Sequence, residues 1–183
     1  MEIDQQGWVQ GVQHIPSPNA DARPEAAQID LLVIHNISLP PGEFGGPYIE
    51  QLFCNQLDPQ AHPYFAEIAH LKVSSHVLIR RGGDIVQFVP LSQRAWHAGE
   101  SHFCGQSCCN DFSIGIELEG TDEQAFTEAQ YAALAALSRL IMQHYPAITP
   151  ERITGHSDIA PGRKTDPGIA FDWVRYRQNL SIA

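Results

Sequence analysis

The segment Asp111-Phe112-Ser113-Ile114-Gly115-Ile116-Glu117-Leu118-Glu119 constrains this chain more than any other. Along it, large apolar residues alternate with small or charged ones without a break. Successive side chains of an extended strand point to opposite faces. Phe112, Ile114, Ile116 and Leu118 therefore share one face, and Ser113, Gly115, Glu117 and Glu119 share the other. The first face demands a core. The second reads in two ways. It is either solvated sheet surface or a recess, opened by Gly115, in which Glu117 holds a raised pKa and acts as a general base.

The near-continuous apolar run Ile29-Asp30-Leu31-Leu32-Val33-Ile34-His35 predicts a strand buried on both faces. Two β-rich runs about the Gly82-Gly83 turn predict a hairpin over 75–89, with the glycines supplying positive φ. Thr127-x-x-Gln130 fits a capping box. Tyr131, Leu134, Ala135, Ser138, Ile141, Met142 and Tyr145 then keep helical spacing until Pro146 stops the helix. A shorter helix is predicted over 172–180. Residues 1–28 read as mostly loop, and 153–168 as a polar loop rich in Gly and Pro. Residues 38–65 read as a long connection with a short helix near 48–57, and connections of that length in compact domains are usually functional. Strands and helices interleave, and no repeat or linker divides the 183 residues. The expectation is one α/β domain over 1–183, with a central mixed β-sheet flanked by helices.

A hydrophobic fraction of 43% supports a core, and a net charge of −10 excludes two classes of partner. Nucleic acids call for a basic patch. An anionic membrane surface does as well. Met1-Glu2-Ile3-Asp4-Gln5-Gln6 lacks the basic stretch and apolar core of a secretory signal, and the apolar run at residues 29–34 is too short to span a bilayer. The expected compartment is therefore the cytoplasm, with Cys54, Cys104, Cys108 and Cys109 as free thiols. Cys104-x3-Cys108-Cys109 lacks the CxxC pairing typical of zinc.

Nine histidines are many for this length, and context separates them. His35 ends the buried apolar strand, where ligands gather in sheets with parallel strands, or where an imidazole simply caps the strand. His156 and Asp166 lie ten residues apart in a loop stiffened by Pro161 and Pro167. Both side chains are good zinc donors, although a polar surface loop has the same composition. Lys164, two residues before Asp166, is either an oxyanion stabiliser or a solvated charge beside Arg163. Trp96 is either the floor of a sugar site or core. No GxSxG elbow, P-loop or GxGxxG occurs, so a serine or cysteine nucleophile has no support.

Four segments in order carry a resemblance. They are His35-Asn36-Ile37-Ser38-Leu39-Pro40-Pro41-Gly42-Glu43-Phe44-Gly45, Trp96-His97-Ala98-Gly99, the stretch from Asn110 through Glu119 to Gly120, and Gly155-His156-Ser157-Asp158 through Asp166-Pro167-Gly168. Together they resemble the N-acetylmuramoyl-L-alanine amidases of the phage-lysozyme and peptidoglycan-recognition type. Within that superfamily the chain is most similar to the cytosolic branch that cleaves 1,6-anhydro-N-acetylmuramoyl peptides. The resemblance runs from about residue 8 to residue 176. It implies Zn²⁺ as cofactor, with His35, His156 and Asp166 as ligands. It further implies Glu117 as catalytic carboxylate and Lys164 as the transition-state cation. For such a substrate Asn36, next to a ligand, and Trp96 are candidate contacts for the anhydro-sugar, and Lys72, by its charge, is a candidate partner for the acidic stem peptide. The implied substrate is an anhydro-muropeptide recovered in wall recycling, with an influence on β-lactamase expression and no obligate protein partner.

Two alternatives stand beside this reading: a recognition module that binds wall fragments without cutting, and a wall-lytic amidase acting on intact peptidoglycan. Non-catalytic relatives typically lose a metal ligand, whereas this chain keeps all three. One departure stands out. Family members tend to carry arginine where this chain has Gln106-Ser107-Cys108, so a stem-peptide contact is expected to be missing.

Overall fold

Ser113–Glu119 is the centre of the architecture. In the computed structural model, which describes residues 1–181, all seven of its residues are buried. In chain order the strands are β1 (Gln13–His14), β2 (Ala20–Asp21), β3 (Leu31–Ile37), β4 (Val77–Ile79), β5 (Ile85–Gln87), β6 (Arg94–Ala95), β7 (His102–Phe103), β8 (Gln106–Ser107), β9 (Ser113–Glu119) and β10 (Ile153–Gly155). The helices are α1 (Tyr48–Phe53), α2 (Pro63–Ile68), α3 (Glu128–His144), α4 (His156–Ile159) and α5 (Trp173–Ser181). The main sheet runs β1-β5-β4-β9-β3-β10. β9 pairs in parallel with both β3 and β4, β10 pairs in parallel with β3, and only β4 and β5 are antiparallel. The sheet is mixed and helices flank it, as predicted.

Each face of this sheet has its own cover. Leu32, Ile34, Ile114, Ile116 and Leu118 pack with Leu134, Leu137 and Ile141 of α3 and with Tyr176 of α5. On the opposite face Leu78 and Val86 pack with Ile49, Leu52 and Phe53 of α1 and Phe65 of α2. The solvated-face reading of Glu117 and Glu119 is therefore overturned, because α1, α2 and their loops shelter that side. Phe112 also departs from the predicted alternation. It closes the 3₁₀ turn Cys109–Asp111 at φ −128°, ψ 5°, before the strand begins, and packs with Leu31 and Val33 instead of facing α3.

The capping box of α3 forms as predicted. Gln130 N–H donates to Thr127 Oγ1 and Thr127 N–H to Gln130 Oε1, both at 3.1 Å. The 38–65 connection holds α1 and ends in the first turn of α2, where one helix was expected. His62 Nδ1 accepts from Tyr64 N–H at 3.1 Å, and Pro63 occupies the first turn of α2, where its missing N–H is harmless. Of the hairpin glycines, only Gly83 takes positive φ (+88°). The N-terminal segment is pinned to the sheet by Arg23. Its guanidinium donates to the carbonyls of Asn110 and Asp111 at 3.1 Å and of Ser113 at 2.8 Å.

Thr127→Ala removes one side of the capping box and should lower unfolding free energy by about 1 kcal/mol. Urea denaturation checks it, and the cleft on the far face should be unaffected.

Candidate active site

The parallel register of β3 and β9 sets His35 directly beside Glu117. On the other side of β3, Gly155 of β10 pairs with Ile34, so His156 leaves the sheet next to His35. The turn into α4 is held by Asp158, whose carboxylate accepts from Gly155 N–H at 3.0 Å and from Thr154 Oγ–H at 2.8 Å. Asp166 is brought in by a backbone bond, Ser157 N–H to Asp166 O at 2.9 Å. Gly155 makes this docking possible, since a Cβ there would lie 2.8 Å from Pro167 Cδ.

His35 Nδ1, His156 Nδ1 and Asp166 Oδ2 meet as a nearly equilateral triangle with sides of 3.0, 2.9 and 3.0 Å. Tetrahedral zinc with bonds of about 2.0–2.1 Å needs donors about 3.3 Å apart. Two imidazoles and one carboxylate at this spacing fit that ion. His156 is oriented by its far nitrogen, Nε2–H donating to Ala98 O at 3.1 Å, and Arg163 Nη2 braces the same carbonyl at 2.6 Å. Among the described residues, these three are the group with metal-ligand spacing, and the cysteines form none. Cys104 and Cys108 are exposed and Cys109 is buried, all as free thiols.

Electrostatics prepare the donors. Burial lowers the His35 pKa to about 4, against the raising effect of Asp166, so the ring is neutral at neutral pH. Burial alone would raise Asp166, but its close contacts with His156 and His35 outweigh that and hold the carboxylate below its ordinary range. Glu117 goes the other way. Burial pushes its pKa well above the usual range, the Asp166 charge adds to this, and Lys164 partly counters it. Glu117 Oε2 is buried with no hydrogen-bond partner. A buried unsatisfied group costs about 1–3 kcal/mol, and its retention marks a functional position.

These groups line one end of a cleft of about 360 Å³. Leu52 and Phe53 of α1 and Tyr64 and Ile68 of α2 form its apolar wall, and Lys164 lies at its exposed rim. Of the remaining sequence candidates, Asn36 and Trp96 also line the cleft. Asn36 Nδ2 donates to Asp122 Oδ1 at 2.7 Å, and Trp96 Nε1 to Asp21 Oδ1 at 3.2 Å. Lys72 is not brought in. It is exposed, while its neighbours Leu71 and Val73 line the cleft. Two findings went unread in the sequence. His156 follows a true strand, β10, rather than sitting in a loop. His97 joins the centre, with Nδ1 2.9 Å from His35 Nε2. The signal for His97 was Gly115, where a Cβ would lie 2.6 Å from the imidazole.

A mixed α/β sheet presenting a His-His-Asp triangle beside a free buried carboxyl group has the parts of a metal-dependent hydrolase. Residues 25–169 match the N-acetylmuramoyl-L-alanine amidase family, and the chain belongs to that family. It is 62% identical over 177 residues to the 1,6-anhydro-N-acetylmuramyl-L-alanine amidase AmpD of Escherichia coli K12, covering 97% of this chain and 96% of that protein. A crystal structure of a selenomethionine AmpD derivative superposes with a TM-score of 0.96 at 58% identity, covering 99% of this chain and all of that one. The E. coli amidase AmiD, solved with anhydro-N-acetylmuramic acid-L-Ala-D-γ-Glu-L-Lys, aligns at TM-score 0.63 and 33% identity, over 86% of this chain and 60% of that one.

Asp166→Ala leaves two imidazoles without their anionic partner. Zinc affinity, read by chelator competition, should fall by more than the roughly 10- to 100-fold that follows loss of a supporting contact. In metal-free protein, ¹³C NMR should place the Glu117 carboxyl titration above the ordinary value of about 4.3. Lys164→Met should move it higher still, because the ammonium favours the ionised form.

Proposed function

We propose that this chain hydrolyses the amide bond between the lactyl group of 1,6-anhydro-N-acetylmuramic acid and L-alanine, as a zinc-dependent amidase of peptidoglycan recycling in the cytoplasm. The observation that carries the proposal is the unpartnered Glu117 Oε2 in the same cleft as the three clustered donor atoms. The activity in the names of the AmpD relatives and the ligand in the AmiD structure support the choice of bond.

His35 Nδ1, His156 Nδ1 and Asp166 Oδ2 would hold Zn²⁺, which when bound polarises a carbonyl and lowers the pKa of water to about 7. Glu117 Oε2 takes a proton from the attacking water. It passes that proton to the L-alanine nitrogen as the C–N bond breaks. Burial makes this carboxylate a stronger base than an exposed one, which suits both transfers. Lys164 at the rim offsets the negative charge that grows on the carbonyl oxygen. Asn36 and Trp96 contact the anhydro-sugar, and the apolar wall of α1 and α2 excludes water. Lys72, outside the cleft lining, is left as a contact for the acidic stem peptide beyond the mouth.

The thiols support the compartment. The four cysteines are free, two of them exposed, as expected in a reducing environment. No helix among the described residues is long and apolar enough to cross a membrane. On this reading, loss of the chain leaves anhydro-muropeptides uncut, the route by which it would influence β-lactamase expression.

The test gives the zinc-loaded protein anhydro-muramoyl-tripeptide in one arm and intact sacculi in the other, with products read by mass spectrometry. Chelator-sensitive release of peptide from the small substrate alone is expected. Release mainly from sacculi would make the chain wall-lytic, and binding without cleavage would make it a recognition module. Glu117→Gln should keep its zinc while turnover falls about 10²- to 10⁴-fold. Turnover near wild type would remove Glu117 from the mechanism.

A further inference from the structure

His97 occupies a seat built for its ring. The imidazole lies over Gly115 of β9, where a Cβ would approach Cγ and Nδ1 to 2.6 Å, so residue 115 must be glycine. The backbone beneath is fixed by Asn110, whose Oδ1 accepts from His97 N–H at 3.1 Å and from Ala98 N–H at 2.8 Å. His97 Nδ1 is 2.9 Å from His35 Nε2, and His97 Nε2 is 3.1 Å from Ser113 Oγ. The two rings meet edge-on, with centroids 5.0 Å apart and planes at 87°.

A neutral imidazole carries one N–H. To offer a lone pair at Nδ1, His35 must carry its proton on Nε2. A competing arrangement exists, because Asp166 Oδ2 lies 2.9 Å from His35 Nδ1 and would accept a proton placed there. The acceptor at the far nitrogen decides between the two. For His156 that acceptor is the Ala98 carbonyl, which can only accept. For His35 it is His97 Nδ1. Accepting there puts the His97 proton on Nε2, where Ser113 Oγ receives it. The chain of donors then runs from His35 to His97 to Ser113.

We propose that His97 is the positioning residue of this centre: by accepting the Nε2–H of His35 it fixes the tautomer and ring plane in which His35 offers Nδ1 to the metal. This rests on the zinc-amidase reading above and adds a residue that acts through His35 rather than on substrate. Supporting partners of this kind typically contribute 10- to 100-fold in metal affinity.

The test uses zinc-loaded protein labelled with ¹⁵N-histidine. The His35 Nε2–H proton should resonate downfield and show coupling across the hydrogen bond to His97 Nδ1. In chelator competition His97→Leu should bind zinc about 10- to 100-fold more weakly. His97→Asn, whose Oδ1 falls near the position of Nδ1, should recover most of that loss. Ser113→Ala should weaken binding less, in the same direction. Should His97→Leu fail to fold, the wild-type coupling and the other two variants still decide. Absence of the coupling in wild type, or a folded His97→Leu with wild-type zinc affinity, would overturn the proposal. Failure of the underlying reading looks different: the wild-type protein would bind no zinc, or bind it without His35.

Discussion

The in-register parallel pairing of β3 with β9 is the constraint on which the remaining structure depends. It sets His35 beside Glu117 on one face and Ile34 beside Ile116 on the other. A slip of one residue would turn Glu117 into the apolar layer under α3 and bring a leucine or isoleucine beside His35. Burying an unpaired carboxylate in that layer is costly enough to forbid the slip. The contacts that make the core therefore also align the site. β10 inherits the alignment through its pairing with β3 and delivers His156.

Two glutamates on the same strand face show how environment assigns roles. Glu119 is buried yet fully engaged: it accepts from Gly45 N–H at 2.6 Å, from Arg81 N–H at 3.1 Å and from the Arg80 guanidinium at 3.2 Å. It ties the 38–65 connection to the sheet. Glu117, two residues earlier, has an oxygen with no partner at all. The first carboxylate is structural because its lone pairs are spent. The second keeps its proton affinity available, and the fold tolerates the penalty because α1, α2 and the β9 neighbours are otherwise well packed.

The long periodic elements were legible in the sequence. β3 and β9 are seven residues each of apolar run or alternation, α3 is seventeen residues of helical spacing behind a capping box, and each lies within a few residues of its expected place. What escaped was set by tertiary contact. Ile153-Thr154-Gly155 is too short to signal a strand alone, and its pairing with β3 makes it one. Pro63 reads as a breaker, yet it starts α2. Phe112 breaks the alternation because a 3₁₀ turn precedes it. The candidate site divides in the same way. His35, Glu117, His156 and Asp166 stood out by residue type and by resemblance, but their convergence spans more than a hundred residues of chain. His97 went unassigned because its only local trace is a glycine eighteen residues further on. Only its charge marks Lys72 in the sequence, and charge does not specify which way an exposed side chain lies.

The metal centre is the point on which the proposed chemistry turns, and the chain also carries four free thiols, a ligand type that zinc accepts. X-ray absorption at the zinc edge of the loaded protein discriminates directly. Expected is a first shell of nitrogen and oxygen scatterers only, at about 2.0–2.1 Å, with the multiple scattering of two imidazoles. A sulfur scatterer at about 2.3 Å would contradict the His35–His156–Asp166 assignment and move the metal to the cysteines.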